Sequence, residues 1–185
     1  MCRISKKILF ILFSILLLFS CSDGKIKPKI DLTIEEENIP IQESWNSKIL
    51  FTENGKLKGI LYTDYLEAYN KPREKLLENV KVEFFNSSGK KTSQLTSKRG
   101  RIDDLTQNMY AIDSVVAIND SAKVKLESEE LMWRKKDEKI VSDKFVRITT
   151  ETEVIEGYGL VSDQSIENYV IKNVTYQTTT SAVKN

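Results

Sequence analysis

The side chains best suited to chemistry are few and poorly placed for it. The chain of 185 residues has no His, which removes the commonest general base and the commonest metal ligand together. Acids are plentiful, among them Asp103-Asp104, Glu127, Glu129-Glu130 and Glu151. As acid–base partners or cation ligands Asp103 and Asp104 would have to converge, yet neighbours on a strand point to opposite faces; they read as a solvated turn. Lys98, Arg99 and Arg101 are either contacts for phosphate groups or solvated strand ends. No Gly-rich phosphate loop, nucleophile elbow or Cys/His metal spacing occurs. The sequence therefore reads as no enzyme, with no cofactor and no metal.

Charge narrows the partners. The formal net charge is +1, which argues for neither nucleic acid nor a strongly acidic ligand. Arg3, Lys6 and Lys7 fall in the first twenty residues, which carry no acid; without them 25 basic residues face 27 acidic ones, a net of −2. Only 7 Gly and 3 Pro occur, against a low-complexity or collagen-like chain.

Those three basic residues precede residues 8–19, ILFILFSILLLF. As a helix this run spans about 18 Å, short of the roughly 30 Å hydrocarbon core, so it reads as a signal peptide over residues 1–20. It ends Leu18-Phe19-Ser20-Cys21, and a small residue before a Cys at that place resembles a bacterial lipoprotein cleavage box. Cys2 would leave with the signal and Cys21 would be the sole mature Cys, so no intramolecular disulfide is expected. An acylated Cys21 accounts for a lone thiol in an exported chain, and several acyl chains make a stable membrane anchor. Residues 21–44 then form a polar tether with Lys25, Lys27 and Lys29, two of the three Pro, and Glu35-Glu-Glu. The lysines are either part of a charge-rich linker or a contact for anionic head groups.

From residue 45 to 177 the pattern is nearly all strand. Residues 48–52 meet the turn Glu53-Asn-Gly-Lys, and Asn54-Gly55 is a strong hairpin signal. Residues 57–69 run back. Val80-Lys-Val-Glu-Phe-Phe alternates and meets Asn86-Ser-Ser-Gly89; residues 92–101 return. Residues 110–118 and 122–133 form a pair around Asn119-Asp120, 140–150 and 153–161 another around Glu151-Thr152, and 169–177 is the last strand. Within residues 124–133 the alternation slips by one residue between Leu126 and Leu131. Residues 71–78, Lys-Pro-Arg-Glu-Lys-Leu-Leu-Glu, read equally as a helical turn or a loop. The tail, 178–185, is polar. A loose repeat supports a stack of hairpins: Leu61, Leu95, Leu126 and Ile155 occupy like places, 34, 31 and 29 apart. Val141-Ser-Asp-Lys and Val161-Ser-Asp-Gln repeat too, as corners where a strand bends.

Three features together resemble the LptC family, the periplasmic component of lipopolysaccharide export. They are the lipoprotein-like start; Tyr69-Asn-Lys-Pro-Arg-Glu-Lys with Val80-Lys-Val-Glu-Phe-Phe-Asn-Ser-Ser-Gly-Lys and Ser93-Gln-Leu-Thr-Ser; and Asp113-Ser-Val-Val-Ala-Ile running on to Leu126-Glu-Ser-Glu-Glu-Leu-Met-Trp and Ile140-Val-Ser-Asp. The resemblance covers about residues 45–174 and is to the lipid-anchored form; better-known members carry a transmembrane helix instead. It implies an all-β fold, an open antiparallel β-jelly-roll of consecutive hairpins (OstA-like), whose apolar inside holds acyl chains. It implies a periplasmic protein of a Gram-negative envelope; the acyl anchor at Cys21 is expected in the inner membrane, while Ser22, the residue after it, does not by itself say which membrane. Its implied partners are lipopolysaccharide, the permease subunits of the inner-membrane exporter and a periplasmic bridge protein of similar fold. The inward positions become the groove: Val82, Phe84, Leu95, Leu126, Leu131, Trp133, Val146, Ile148 and Ile171. The edge strands become partner surfaces, with Ile49 and Phe51 towards the transporter and Val174 and Tyr176 towards the next bridge protein. Alternation by itself also fits the core of a closed β-sandwich, as in a structural or adhesive surface lipoprotein.

Overall fold

The computed structural model describes residues 39–179. The expected signal peptide, Cys21, most of the tether and the last residues of the tail lie outside the described residues. Nine strands follow one another: β1 (Gln42–Glu53), β2 (Lys56–Tyr69), β3 (Glu74–Phe85), β4 (Lys91–Asp103), β5 (Met109–Asn119), β6 (Val124–Arg134), β7 (Lys139–Thr149), β8 (Glu153–Ser162) and β9 (Tyr169–Thr179). Each pairs antiparallel with its sequence neighbours, and their spatial order is their chain order. The result is one open sheet of consecutive hairpins, with β1 and β9 as edges that do not meet. This is the expected open jelly-roll, and its unpaired edges run against the closed sandwich.

Turn chemistry explains the hairpins. Asn54 and Gly55 both lie in the left-handed region, at φ 50 and 74, as a two-residue turn between twisted strands requires. In the β3–β4 turn Asn86 Oδ1 accepts the N–H groups of Ser88 and Lys90, and Gly89 supplies the positive φ. Residues 71–78 are neither helix nor loop throughout. The chain turns at 70–73 and Glu74 opens β3. Lys75, Leu76 and Leu77 pair with β2 on one side and β4 on the other. Ladders on both sides satisfy every backbone group there, which outweighs any local helical preference. Of the two Val-Ser-Asp repeats, the first marks a register shift in β7 between Ser142 and Phe145. The second does not bend a strand: Ser162 ends β8 and a loop follows.

The strands are too long for one flat layer. They run from 10 residues in β8 to 14 in β2, about 30–45 Å at full extension. Each bends near its middle, so that the sheet folds over its own apolar face. On one side of the bend Ile49, Leu61, Val82, Leu95, Ala117, Leu126, Ile148 and Ile155 stand opposite one another from β1 to β8. The repeated positions Leu61, Leu95, Leu126 and Ile155 all belong to this row. On the other side Leu66, Leu77, Gly100, Ala111 and Leu131 form a second row from β2 to β6. Gly100 is required there, because a Cβ would meet Val80 Cγ2 at 2.9 Å.

At the bend the ladder lapses or shifts: around Thr63-Asp64 and Asn79, between Thr96 and Arg99, between Ile112 and Val115, and between Ser128 and Met132. Inward parity flips with it. In β2, Leu61 and Thr63 are buried before the bend, and Leu66 and Ala68 after it. The one-residue slip expected in β6 is the same event, with Leu126 buried before and Leu131 after. Hydroxyls take over the freed carbonyls. Thr63 donates to the carbonyls of Tyr65 at 2.8 Å and Glu78 at 2.6 Å. Ser97 donates to Arg99 O, Ser128 to Phe145 O, and Ser142 to Glu130 O.

Thr63 is 3% exposed, so Thr63→Val keeps the shape and removes the only change that matters, the hydroxyl. It should lower stability by about 1–3 kcal/mol, the cost of buried acceptors left unpaired. Thr96→Val, at an exposed site, should stay within about 0.5 kcal/mol of the parent. Urea midpoints of the two variants test this, and equal midpoints would remove the hydroxyls from the account of the bend.

Candidate functional site: an apolar cavity between the folded halves

The two apolar rows enclose a cavity that opens where the β1–β2 hairpin meets the β6–β7 turn. Its outer part has a volume of about 330 Å³ and is walled by Phe51, Gly59, Val82, Phe84, Ile102, Met109 and Trp133, with the exposed Leu50 at its edge. A narrow inner part of about 40 Å³ continues between Leu61, Leu77, Val80, Leu95, Ala111, Leu131 and Ile140. Val82, Phe84, Ile102, Met109 and Trp133 belong to both parts. The walls come from both halves of the folded sheet, because Val82 and Leu95 lie on the first row and Leu77, Ala111 and Leu131 on the second.

The rim is charged with both signs. Glu53, Lys58, Lys135 and Glu138 ring the opening, and Lys58 Nζ lies 3.2 Å from Glu53 Oε2. That hydrogen bond, followed by the charge of Lys58, holds the Glu53 carboxyl below the usual carboxylate range. Lys135 Nζ stands 5.4 Å from the centroid of the Trp133 ring, a cation–π contact. The Trp133 indole N–H is buried and has no hydrogen-bond partner among the described residues. An apolar interior with a polar mouth suits an amphipathic ligand that leaves its head in water.

The expected groove residues divide into two groups. Val82, Phe84, Leu95, Leu131 and Trp133 come together along the cavity. Leu126, Val146 and Ile148 are at most 1% exposed and fill the packed core without lining the cavity. Ile171 is half-buried and packs against that core. Of the edge residues, Val174 and Tyr176 are 50% and 51% exposed on β9. Ile49 and Phe51 lie on edge strand β1, but their side chains turn inward against the core; Trp45 and Leu50 are the residues exposed there. Met109 and Ile102 were not expected in the wall. The pairing finds them, since Met109 stands opposite both Trp133 and Ile102.

Several of the candidate acids and bases are occupied elsewhere. Asp103 Oδ1 accepts the N–H groups of Leu105 and Thr106, and these bonds, that of Thr106 first, hold its carboxyl below the ordinary range. Asp104 pairs with Lys75, so the two neighbours do not converge. Arg99 Nε lies 2.7 Å from Asp113 Oδ2. Arg101 stacks 3.9 Å from the Tyr110 ring and reaches Glu74. Among the described residues no group of three His, Cys, Asp or Glu is placed to hold a metal ion.

The sequence model of a family described as "LptC: Lipopolysaccharide-assembly, LptC-related" matches residues 8–179. No curated protein matches the chain.

The cavity yields a direct test. Gly59 lies in its wall, and a Cβ there would meet only ordinary contacts, Glu83 O at 3.4 Å and Phe51 Cδ2 at 3.6 Å. Gly59→Leu should therefore fold and fill the mouth. Binding of N-phenyl-1-naphthylamine, followed by fluorescence, should weaken by on the order of tenfold, the gain from burying a few methylene-sized groups. Unchanged binding by a cooperatively folded variant would place the apolar site elsewhere.

Proposed function

From its membership of the LptC-related lipopolysaccharide-assembly family, to which this chain belongs, we propose that it is a bridge component that carries lipopolysaccharide across the periplasm. It receives the lipid from the permease subunits of the inner-membrane exporter and passes it to a periplasmic protein of similar fold. The observation that supports this reading is the cavity: apolar walls from both halves of a folded sheet, a charged rim, and an opening to the side. Carrying a lipid makes and breaks no bond, so apolar walls and a wet mouth are sufficient. The acyl chains lie against Val82, Phe84, Leu95, Leu131 and Trp133, with Met109 and Ile102 added to the wall. Leu126, Val146, Ile148 and Ile171 support that wall from the core.

The open edges take the partners. An edge strand displays unpaired N–H and C=O groups, and an added strand gains backbone hydrogen bonds there. β9 carries Val174 and Tyr176 outward with no charge from Asn173 to Thr179; it receives the next bridge protein. β1, with Ile49 and Phe51 inward and Trp45 and Leu50 outward, faces the exporter. Residues 1–20 are the cleaved signal and Cys21 bears the acyl anchor in the inner membrane, with 21–44 as tether and 178–185 as tail.

Two experiments separate these claims. A photo-reactive residue in place of Phe84 should capture lipopolysaccharide in cells only while the exporter hydrolyses ATP, with Lys136 as the unlabelled control. In the same panel Val174 and Tyr176 should capture a periplasmic protein, Trp45 and Leu50 a membrane protein. Deleting residues 173–185 should abolish the first capture and spare the second. Equal lipid yields at Phe84 and Lys136 would end the cavity reading, and capture that survives the deletion would end the edge reading. For the anchor, the intact mass of membrane-extracted protein should correspond to a chain starting at Cys21 with diacylglycerol attached; a free thiol on a chain starting elsewhere refutes it.

A further inference from the structure

The loop between β8 and β9, residues 163–168, packs a side chain into the apolar core. Ile166 is 1% exposed and belongs to the core cluster. Among the described residues it is the one buried side chain in a turn. It sits at φ 53, in the left-handed region, where a β-branched side chain crowds its own backbone. Such outliers persist only where surrounding structure enforces them, and they collect at switches and clamps.

Polar contacts do the enforcing. Ser93 Oγ donates to Gln164 O at 2.6 Å. Asn119, itself 1% exposed, donates from Nδ2 to Ser165 O at 2.8 Å and to Glu167 Oε1 at 3.1 Å. Within the loop the Asp163 carboxylate accepts from Ser165, Glu167 and Asn168. These are the hydrogen bonds that join elements far apart in the sheet, and on release water can satisfy every group involved. The loop also borders the cavity: Gln164 is part of its wall beside Phe84, and Phe84 pairs with Ser93.

We infer that this loop is a displaceable stopper, and that Ile166 sets how long an acyl chain the interior accepts. The inference rests on the lipid-carrying reading and adds a specificity-determining residue to it. A chain that reaches past the cavity competes with the Ile166 side chain for the same apolar space. Displacing Ile166 relieves its backbone, which offsets part of the burial lost. Short chains leave the stopper in place; long ones expel it.

The test compares the full chain with Ile166→Gly, in which glycine accepts the positive φ without strain and the backbone contacts of the loop are kept. Lauric, myristic, palmitic and stearic acids displace a bound hydrophobic fluorophore from each protein. Wild type should gain affinity with length only to a limit. The variant should extend that limit by about two methylenes, at about fourfold in affinity for each, so that stearic relative to lauric acid improves on the order of tenfold. Hydrogen exchange at 164–168 in wild type should accelerate with stearic but not lauric acid. Identical length profiles in a folded variant overturn the stopper and leave the cavity reading standing. No binding of any acid by wild type overturns both. Should Ile166→Gly fail to fold, Asn119→Ala loosens the docking instead and must shift the profile the same way; an unshifted profile there overturns the stopper.

Discussion

The constraint on which the rest depends is the bend shared by all the long strands. A meander of nine strands has one apolar face, and among the described residues there is no second sheet or helix to cover it. The chain solves this by folding the sheet over that face, and the fold must cross every strand at the same level. A bend breaks the ladder, and a broken ladder exposes carbonyls and N–H groups that must be satisfied. Thr63, Ser97, Ser128 and Ser142 sit at that level and donate to the freed carbonyls. Their neighbours there are polar as well: Asp64, Asn79, Lys98, Asp113, Glu129 and Asp143. Outward charge at the corner costs nothing in burial, while Asn79 bonded to Asp64 and Arg99 to Asp113 knit adjacent corners together.

Topology then decides that the interior stays reachable. Among the described residues no strand returns to pair with the free side of β1, so the two halves meet along a seam rather than through a closing ladder. Side chains from the two apolar rows fill most of the space between the halves, and Leu126, Val146 and Ile148 are fully covered. Near the β1–β2 hairpin the facing ends do not interlock, and the cavity opens between Phe51, Met109 and Trp133. The seam is thus closed by apolar packing in one stretch, latched by a polar loop in another and open in a third.

Much of this was legible in the sequence, and most of the failures share one cause. The hairpin turns were readable because positive φ restricts the residue types, as at Asn54-Gly55 and Gly89. The row through Leu61, Leu95, Leu126 and Ile155 surfaced as a loose repeat because each hairpin contributes a residue to it at a similar distance. Period-two reading works only within one half of a strand, however. β3 switches from Leu77 to Val80, so its apolar residues lie three apart, which resembles a helical spacing and hid the first half of the strand. Met109 and Ile102 escaped notice for the same reason, since each lies beyond the bend from the alternating stretch that identified its strand. Ile166 stands in Asp163-Gln-Ser-Ile-Glu-Asn, a polar context that gives no local signal of burial. Ser93 and Asn119, 71 and 46 positions away from their loop partners, hold the loop against the core that buries it.

The two edges and the seam bear on one another. β1 and β9 are long strands whose outward groups include Trp45, Leu50, Val170, Val174 and Tyr176. Neither strand contains Pro, a device that blunts exposed edges elsewhere. Edges of this kind display unpaired N–H and C=O groups, the groups that strand addition uses. A strand added to β9 would extend the sheet on the side away from β8, and β8 leads into β9 through the very loop that Ser93 and Asn119 hold. At the β8–β9 bulge the backbones already approach closely, since a Cβ on Gly157 would lie 2.3 Å from Asn173 O. Little slack exists there to absorb a change in the twist of β9.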